Sequence, residues 1–213
     1  ASWPALRMVL LSIDLPGLGR HHSARAGRRR HRLSRHTPTI PHTGGRSRQN
    51  GASQAMPTTI FTIGHGRAAF ANVAGVLRRH KVATIIDVRS VPYSQHAPDF
   101  AKEELIALAT ASGLAYRWMG DSLGGRPEDP ELLNADGEPD YQRIAESARF
   151  RAGIVNLTAL ADSGAVALLC SEERPEACHR SLLIAPVLTA LGYRVVHLRH
   201  DGTAQPHQDS LEI

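Results

Sequence analysis

Two cysteines in 213 residues are too few for a disulfide scaffold. Both fall in one short stretch, "LLCSEERPEACHR", which reads as chemistry rather than as a staple and points to a reducing, cytoplasmic setting. No run of about 18 apolar residues occurs, so a membrane-spanning helix is not expected. No internal repeat is visible, which sets aside solenoid architectures. What remains is ordinary for one soluble domain: 42% hydrophobic and 21% charged residues, enough chain to bury a core.

The net charge of +5 is unevenly spread. Residues 1–55 carry ten arginines, no lysine and a single acid, Asp14, for a charge of +9. Residues 56–213 hold 15 basic and 19 acidic side chains, a charge of −4. The first segment is rich in Arg, His, Ser and Gly, lacks hydrophobic periodicity and is expected to be a disordered basic leader. A transit peptide and a nucleic-acid-binding arm are two readings of it. The abrupt change of composition at Met56 favours a third, in which the native protein starts there. The negative charge of the remainder does not support general nucleic-acid binding, which depends on neutralising many phosphates.

From Met56 the pattern alternates strand and helix. "TTIFTIGH" is a buried strand, and "FANVAGVLRRHKV" sets Phe70, Val73 and Leu77 on one helical face. "ATIIDVR" is a second strand, "KEELIALATASGL" a helix stopped by Gly113, and "LAYRWM" a shorter strand. A long Gly/Pro-rich connection, residues 120–140, precedes helices from Tyr141 to about Asp162 with a break near Phe150. "AVALLC" is a strand, "HRSLLIAPVLTALG" a helix kinked at Pro186, and "YRVVHLRH" the last strand before a frayed tail. The expected fold is α/β: a single domain over residues 56–213, with a mostly parallel four- to five-stranded sheet and helices on both faces.

In such sheets ligands bind beyond the carboxyl ends of the strands, and each strand here ends in polar residues. These ends are Gly64-His65-Gly66, Asp87-Val88-Arg89, Cys170-Ser171-Glu172 with Cys178-His179-Arg180 following, and His197 to His200. The sequence therefore predicts that they meet at one rim. "TIGHG", "IIDVRSVPYSQHAPDF", "LGG" and "LLCSEERPEACHR" occur in the order and spacing of the domain of unknown function 488 (DUF488) family, which the chain resembles from about Ile60 to Leu198. Gly66 stands where that family commonly has Ser, and Gln95 where an Arg often occurs. The resemblance implies a small cytosolic α/β domain and supplies no catalytic residues.

The residues themselves suggest an anion site. Gly64, Gly124 and Gly125 allow close backbone approach, and Arg89 and Arg180 can each fork onto a phosphate, with His179 beside them. Arg89 paired with Asp87 as a structural bridge is the competing reading. His65, Asp87 and Glu172 are acid–base candidates, and Cys178, at a helix start, is the candidate nucleophile or ligand. Tyr93 is placed to roof the pocket or, with Phe100, to anchor its loop. Cys170, ending an apolar strand, reads as core. The Cys-x5-Arg of tyrosine phosphatases is absent after either cysteine, and Cys-x7-Cys is not a thioredoxin spacing. Metal-ligand spacings are absent too, and adjacent Cys178 and His179 would diverge on a helix, so no metal is assigned. No cofactor is deduced. The leading expectation is an enzyme of hydrolysis or group transfer acting on a phosphate-bearing or nucleotide-like substrate. The alternatives are a non-catalytic nucleotide- or anion-sensing module and, third, a metal-dependent hydrolase.

Overall fold

The structure, a computed structural model, describes residues 56–208, so the expectations for residues 1–55 and for the last five residues lie outside the described residues. Strands β1 (Thr59–Gly64), β2 (Thr84–Asp87), β3 (Ala115–Trp118), β4 (Val166–Cys170), β5 (Arg194–Leu198) and β6 (Ala204–Pro206) form one sheet in the order β3-β2-β4-β1-β5-β6. The first five are mutually parallel, and β6 runs antiparallel to β5. β6 is one strand more than the sequence led us to expect. The tail is not frayed at this point, because it folds back to pair Leu198 with Ala204 and Val196 with Pro206. Pro206, which has no N–H to donate, is tolerated because β6 is an edge.

Helices cover both faces, as expected for a parallel sheet. Against one face lie α1 (Phe70–Arg79) and α2 (Lys102–Ala111), packing Phe70, Val73, Leu77, Leu105 and Ala109 onto Ile63, Ile85, Ala167 and Leu169. Against the other lie α4 (Tyr141–Glu146), α5 (Ala148–Ser163) and α6 (Ala185–Ala190), which bury Ile144, Phe150, Ile154, Leu157, Val187 and Leu188 on Ile60, Ile86, Val166 and Leu168. The alternation along each strand thus sorts the core into two layers. Within the long connection a short helix, α3 (Gly120–Leu123), forms where only loop was expected.

Two breaks differ in detail from the sequence reading. The interruption between α4 and α5 falls at Ser147, not near Phe150, because the Ser147 hydroxyl accepts the Phe150 amide at 3.2 Å and starts a new helix. Pro186 does not kink a continuous helix. Instead, Arg180–Ile184 forms a π-helical turn that runs directly into α6. Proline lacks an N–H and crowds the carbonyl four residues back, and the wider turn accommodates both effects.

Phe150 is fully buried and Leu182 is 40% exposed. Phe150→Ala is expected to lower unfolding stability by about 3–5 kcal/mol. Leu182→Ala is expected to change it by less than about 1 kcal/mol. Urea unfolding of the two variants measures the difference.

Candidate functional site

The polar strand ends do gather at the carboxyl edge, but the pleat divides them between the two faces. On the α1/α2 face are His65, Asp87 and Arg89. On the α5/α6 face are Cys170, Cys178, His179 and Arg180. Strand β4 lies between β2 and β1, and its following segment leaves over the α6 face while theirs leave over the α1/α2 face. In parallel sheets such divergence marks the strand end beyond which ligands bind, here that of Cys170, which is itself buried.

The α1/α2 side is a closed polar network. Asp87, with no exposure, accepts Arg89 Nε at 2.8 Å and Nη2 at 2.6 Å in a two-point bridge. It also accepts the Arg89 amide at 3.1 Å and the Tyr116 hydroxyl at 2.9 Å. Burial and the Asp87 carboxylate push the Tyr116 phenol well above its ordinary value, so it remains a donor. The His65 ring stacks on Phe100 at 4.2 Å, and its Nδ1–H donates to the Gly66 carbonyl at 2.9 Å. This tautomer turns the Nε2 lone pair toward Arg89 Nη1, 3.4 Å away. Burial, and then the Arg89 charge, lower the His65 pKa to about 4 and keep the ring neutral at pH 7. Phe100 anchors the Pro-rich loop by full burial, and Asp99 beside it accepts the Phe70 amide at the start of α1 at 2.8 Å. Tyr93 is 66% exposed and anchors nothing.

The α5/α6 side is a thiol–imidazole–guanidinium cluster. Arg180 has no exposure. Its Nε donates to Cys178 Sγ at 3.2 Å, its Nη1 to Thr62 Oγ1 at 3.2 Å, and its Nη2 to the Glu172 carbonyl. Among the described residues no carboxylate pairs with it. His179 Nε2–H donates to the Val88 carbonyl at 3.1 Å, which leaves the Nδ1 lone pair 3.7 Å from Cys170 Sγ and 3.8 Å from Cys178 Sγ. Thr62, occupied as an acceptor by Arg180, donates in turn to His197 Nδ1 at 2.8 Å, and His197 Nε2 reaches His207 Nδ1 at 3.1 Å. Burial and then the neighbouring His207 lower the His197 pKa to about 4.

The two thiols part company. A hydrogen bond from Cys178 is the main cause that brings the Cys170 pKa down to about 6, and Arg180 and the Glu172 and Ser171 backbone add to it. The same contact, with burial, pushes Cys178 up to about 12. The two thiols pull each other's pKa values apart, and Arg180, whose Nε donates to Cys178 Sγ, favours the anionic form of the pair. Cys178 lies in the turn before the π-helical segment and not at the start of a regular helix. Nor do Cys178 and His179 diverge. Lying in that turn and not in a regular helix, both point at Cys170.

The glycines expected to face a ligand serve this cluster instead. A side chain at Gly64 would overlap the Glu172 carbonyl and the Arg180 guanidinium, and one at Gly125 would overlap the His179 ring. Gly124 lies against Ser90 and the Gly120 carbonyl. The Glu172 side chain is exposed, and only its carbonyl takes part in the cluster. His179 and Arg180 likewise turn inward, bound to carbonyls and thiols and not to solvent. Sequence reasoning missed Tyr116 and Thr62, and it expected Phe100 as a loop anchor but not as the ring on which His65 stacks. Tyr116 was findable, since it pairs in register with Ile85 on the face that Asp87 shares.

A family model for a domain of unknown function, DUF488, matches residues 69–186. That is more than half of the chain, and the chain belongs to this family. The match begins beyond "TIGHG" and ends before β5, a shorter span than Ile60 to Leu198. No curated protein and no solved structure matches the chain.

His65 and His197 are 2% and 3% exposed, and each has its folded-state pKa held near 4, below the ordinary value of 6.5. Their contribution to stability is complete above pH 6.5 and is lost as pH falls toward 4. It amounts to at most about 3 kcal/mol per histidine. The urea midpoint should fall over that window, and His65→Asn combined with His197→Gln should flatten the profile. An equally steep profile in the double variant would assign the acid loss to carboxylates.

Proposed function

We propose that the protein is a cytoplasmic enzyme that carries out hydrolysis or group transfer on a phosphate-bearing, nucleotide-like substrate at the carboxyl end of β4. The observation that carries this reading is the gathering of His65 and Arg89 on one face, and of the Cys170–Cys178 thiol pair on the other, at the strand end where the chain diverges. A neutral imidazole oriented by a backbone carbonyl and a stacked ring is suited to take a proton from water or a substrate hydroxyl. Arg89 keeps its bridge to Asp87 through Nε and Nη2, and its Nη1 faces His65, so one edge of the guanidinium remains to meet an anion. Asp87 and Tyr116 position that guanidinium. The exposed apolar residues Val91 and Tyr93 lie in the adjoining loop, where a base could stack.

The test begins with binding. Nucleoside mono-, di- and triphosphates and inorganic phosphate are titrated by calorimetry, and at least one is expected to bind. Turnover of the bound compound is then followed in His65→Asn. An enzyme should lose about 10²–10⁴-fold in kcat with affinity kept. Turnover unchanged in the variant would remove His65 from the chemistry, binding without turnover by the wild-type chain would make the protein a sensor, and no binding by any of these anions would end the reading.

A further inference from the structure

We infer that Cys170, Cys178 and His179 form a binding site for a zinc ion on the α5/α6 side of the sheet. The three ligand atoms, two Sγ and Nδ1, all lie within 4.8 Å of one another and belong to buried residues. A tetrahedral zinc ion, with Zn–S of about 2.3 Å and Zn–N of about 2.0 Å, requires S···N edges of about 3.5 Å. The observed edges are 3.7 and 3.8 Å. The two sulfurs lie within 4.8 Å of each other, and an ion fits once they draw to the S···S edge of about 3.8 Å that a tetrahedral site requires.

Three further features point the same way. First, the His179 tautomer is fixed by its bond to the Val88 carbonyl, which is how a metal-binding imidazole is usually held, and it delivers the lone pair to the thiols. Second, Arg180 Nε already donates to Cys178 Sγ, a bond that favours the ionised sulfur a metal needs. Third, the fully buried Arg180 finds no carboxylate among the described residues, so the thiols are the groups within reach that can supply negative charge. Two thiolates and one imidazole occupy three positions of a tetrahedron and leave the fourth for an exogenous ligand. Zinc, two thiolates and Arg180 together carry one net positive charge, so the fourth ligand that balances the site is an anion, hydroxide or a phosphate oxygen. Zinc binding itself does not depend on the strand end being catalytic.

Soft thiolates with imidazole suit zinc, and cobalt(II) reports the same site by colour. The full chain, reduced and stripped with chelator, is titrated with Co²⁺ and then with Zn²⁺. The expected result is a thiolate-to-cobalt charge-transfer band that saturates at one equivalent and is bleached by zinc. Histidines elsewhere, including the five in residues 1–55, bind cobalt without that band. Cys170→Ser and Cys178→Ser should each abolish or strongly weaken it, and His179→Gln should raise the zinc dissociation constant by at least tenfold. Cobalt binding without the band in the wild-type chain overturns the site, as does a band that survives Cys170→Ser. If a cysteine variant does not fold, the wild-type titration decides alone: the absence of a saturating thiolate band refutes the proposal. Failure here leaves anion binding by calorimetry unaffected, and a failure of anion binding leaves the cobalt spectrum unaffected.

Discussion

Arg180 is the constraint around which the carboxyl edge of the sheet is arranged. A guanidinium removed from water must have its N–H groups met and its charge balanced, or the desolvation cost is several kcal/mol. The protein meets the first need with Thr62, the Glu172 carbonyl and Cys178. It meets the second with the thiol pair, whose anionic form the Arg180 charge favours. Gly64 is required because the Glu172 carbonyl and Arg180 occupy the space of its side chain. The π-helical turn that begins at Arg180 sets that residue's direction, and it exists because Pro186 follows. The glycine at position 64 thus follows from one buried cation, which the π-helical turn puts in place.

The opposite face solves the same problem by ordinary means. Arg89 is neutralised by the carboxylate of Asp87 at the end of β2, and the Tyr116 hydroxyl donates to that same carboxylate. The two buried arginines therefore have different chemical surroundings, one paired with a carboxylate and the other held by sulfur and neutral oxygen. His65 and His179 show the same contrast. Each is locked into one tautomer by a backbone carbonyl, but the free lone pair of His65 faces a cation and that of His179 faces thiols.

The fold class was legible because hydrophobic periodicity records burial directly. The runs "TTIFTIGH", "ATIIDVR" and "AVALLC" are rich in β-branched and apolar residues with no strict polar alternation, as strands buried on both faces are. β6 was not legible, since Ala204–Pro206 carries no apolar pattern and is held by pairing alone. For the site, the sequence showed which residues gather and at which edge. It could not show which way they face, because Cys178, His179 and Arg180 follow an irregular turn with no period to extrapolate. The glycines were misread for a related reason. A glycine reports that something comes close, and the sequence does not say whether that is a ligand or, as at Gly125, a histidine ring.

Because Cys170 is the last residue of β4 and shares the α5/α6 layer with Val166 and Leu168, its position is set by a period of two. Adding or removing one residue within that strand would carry the sulfur through the sheet to the Asp87 side and separate it from Cys178 and His179. Length changes in the exposed loop between Cys170 and Pro175 act on distance and leave this phase intact. The spacing between the two cysteines is thus less constrained by the pleat than the parity of β4. A pattern built on a fixed Cys-to-Cys count would overlook such a site, and one built on the strand phase would find it.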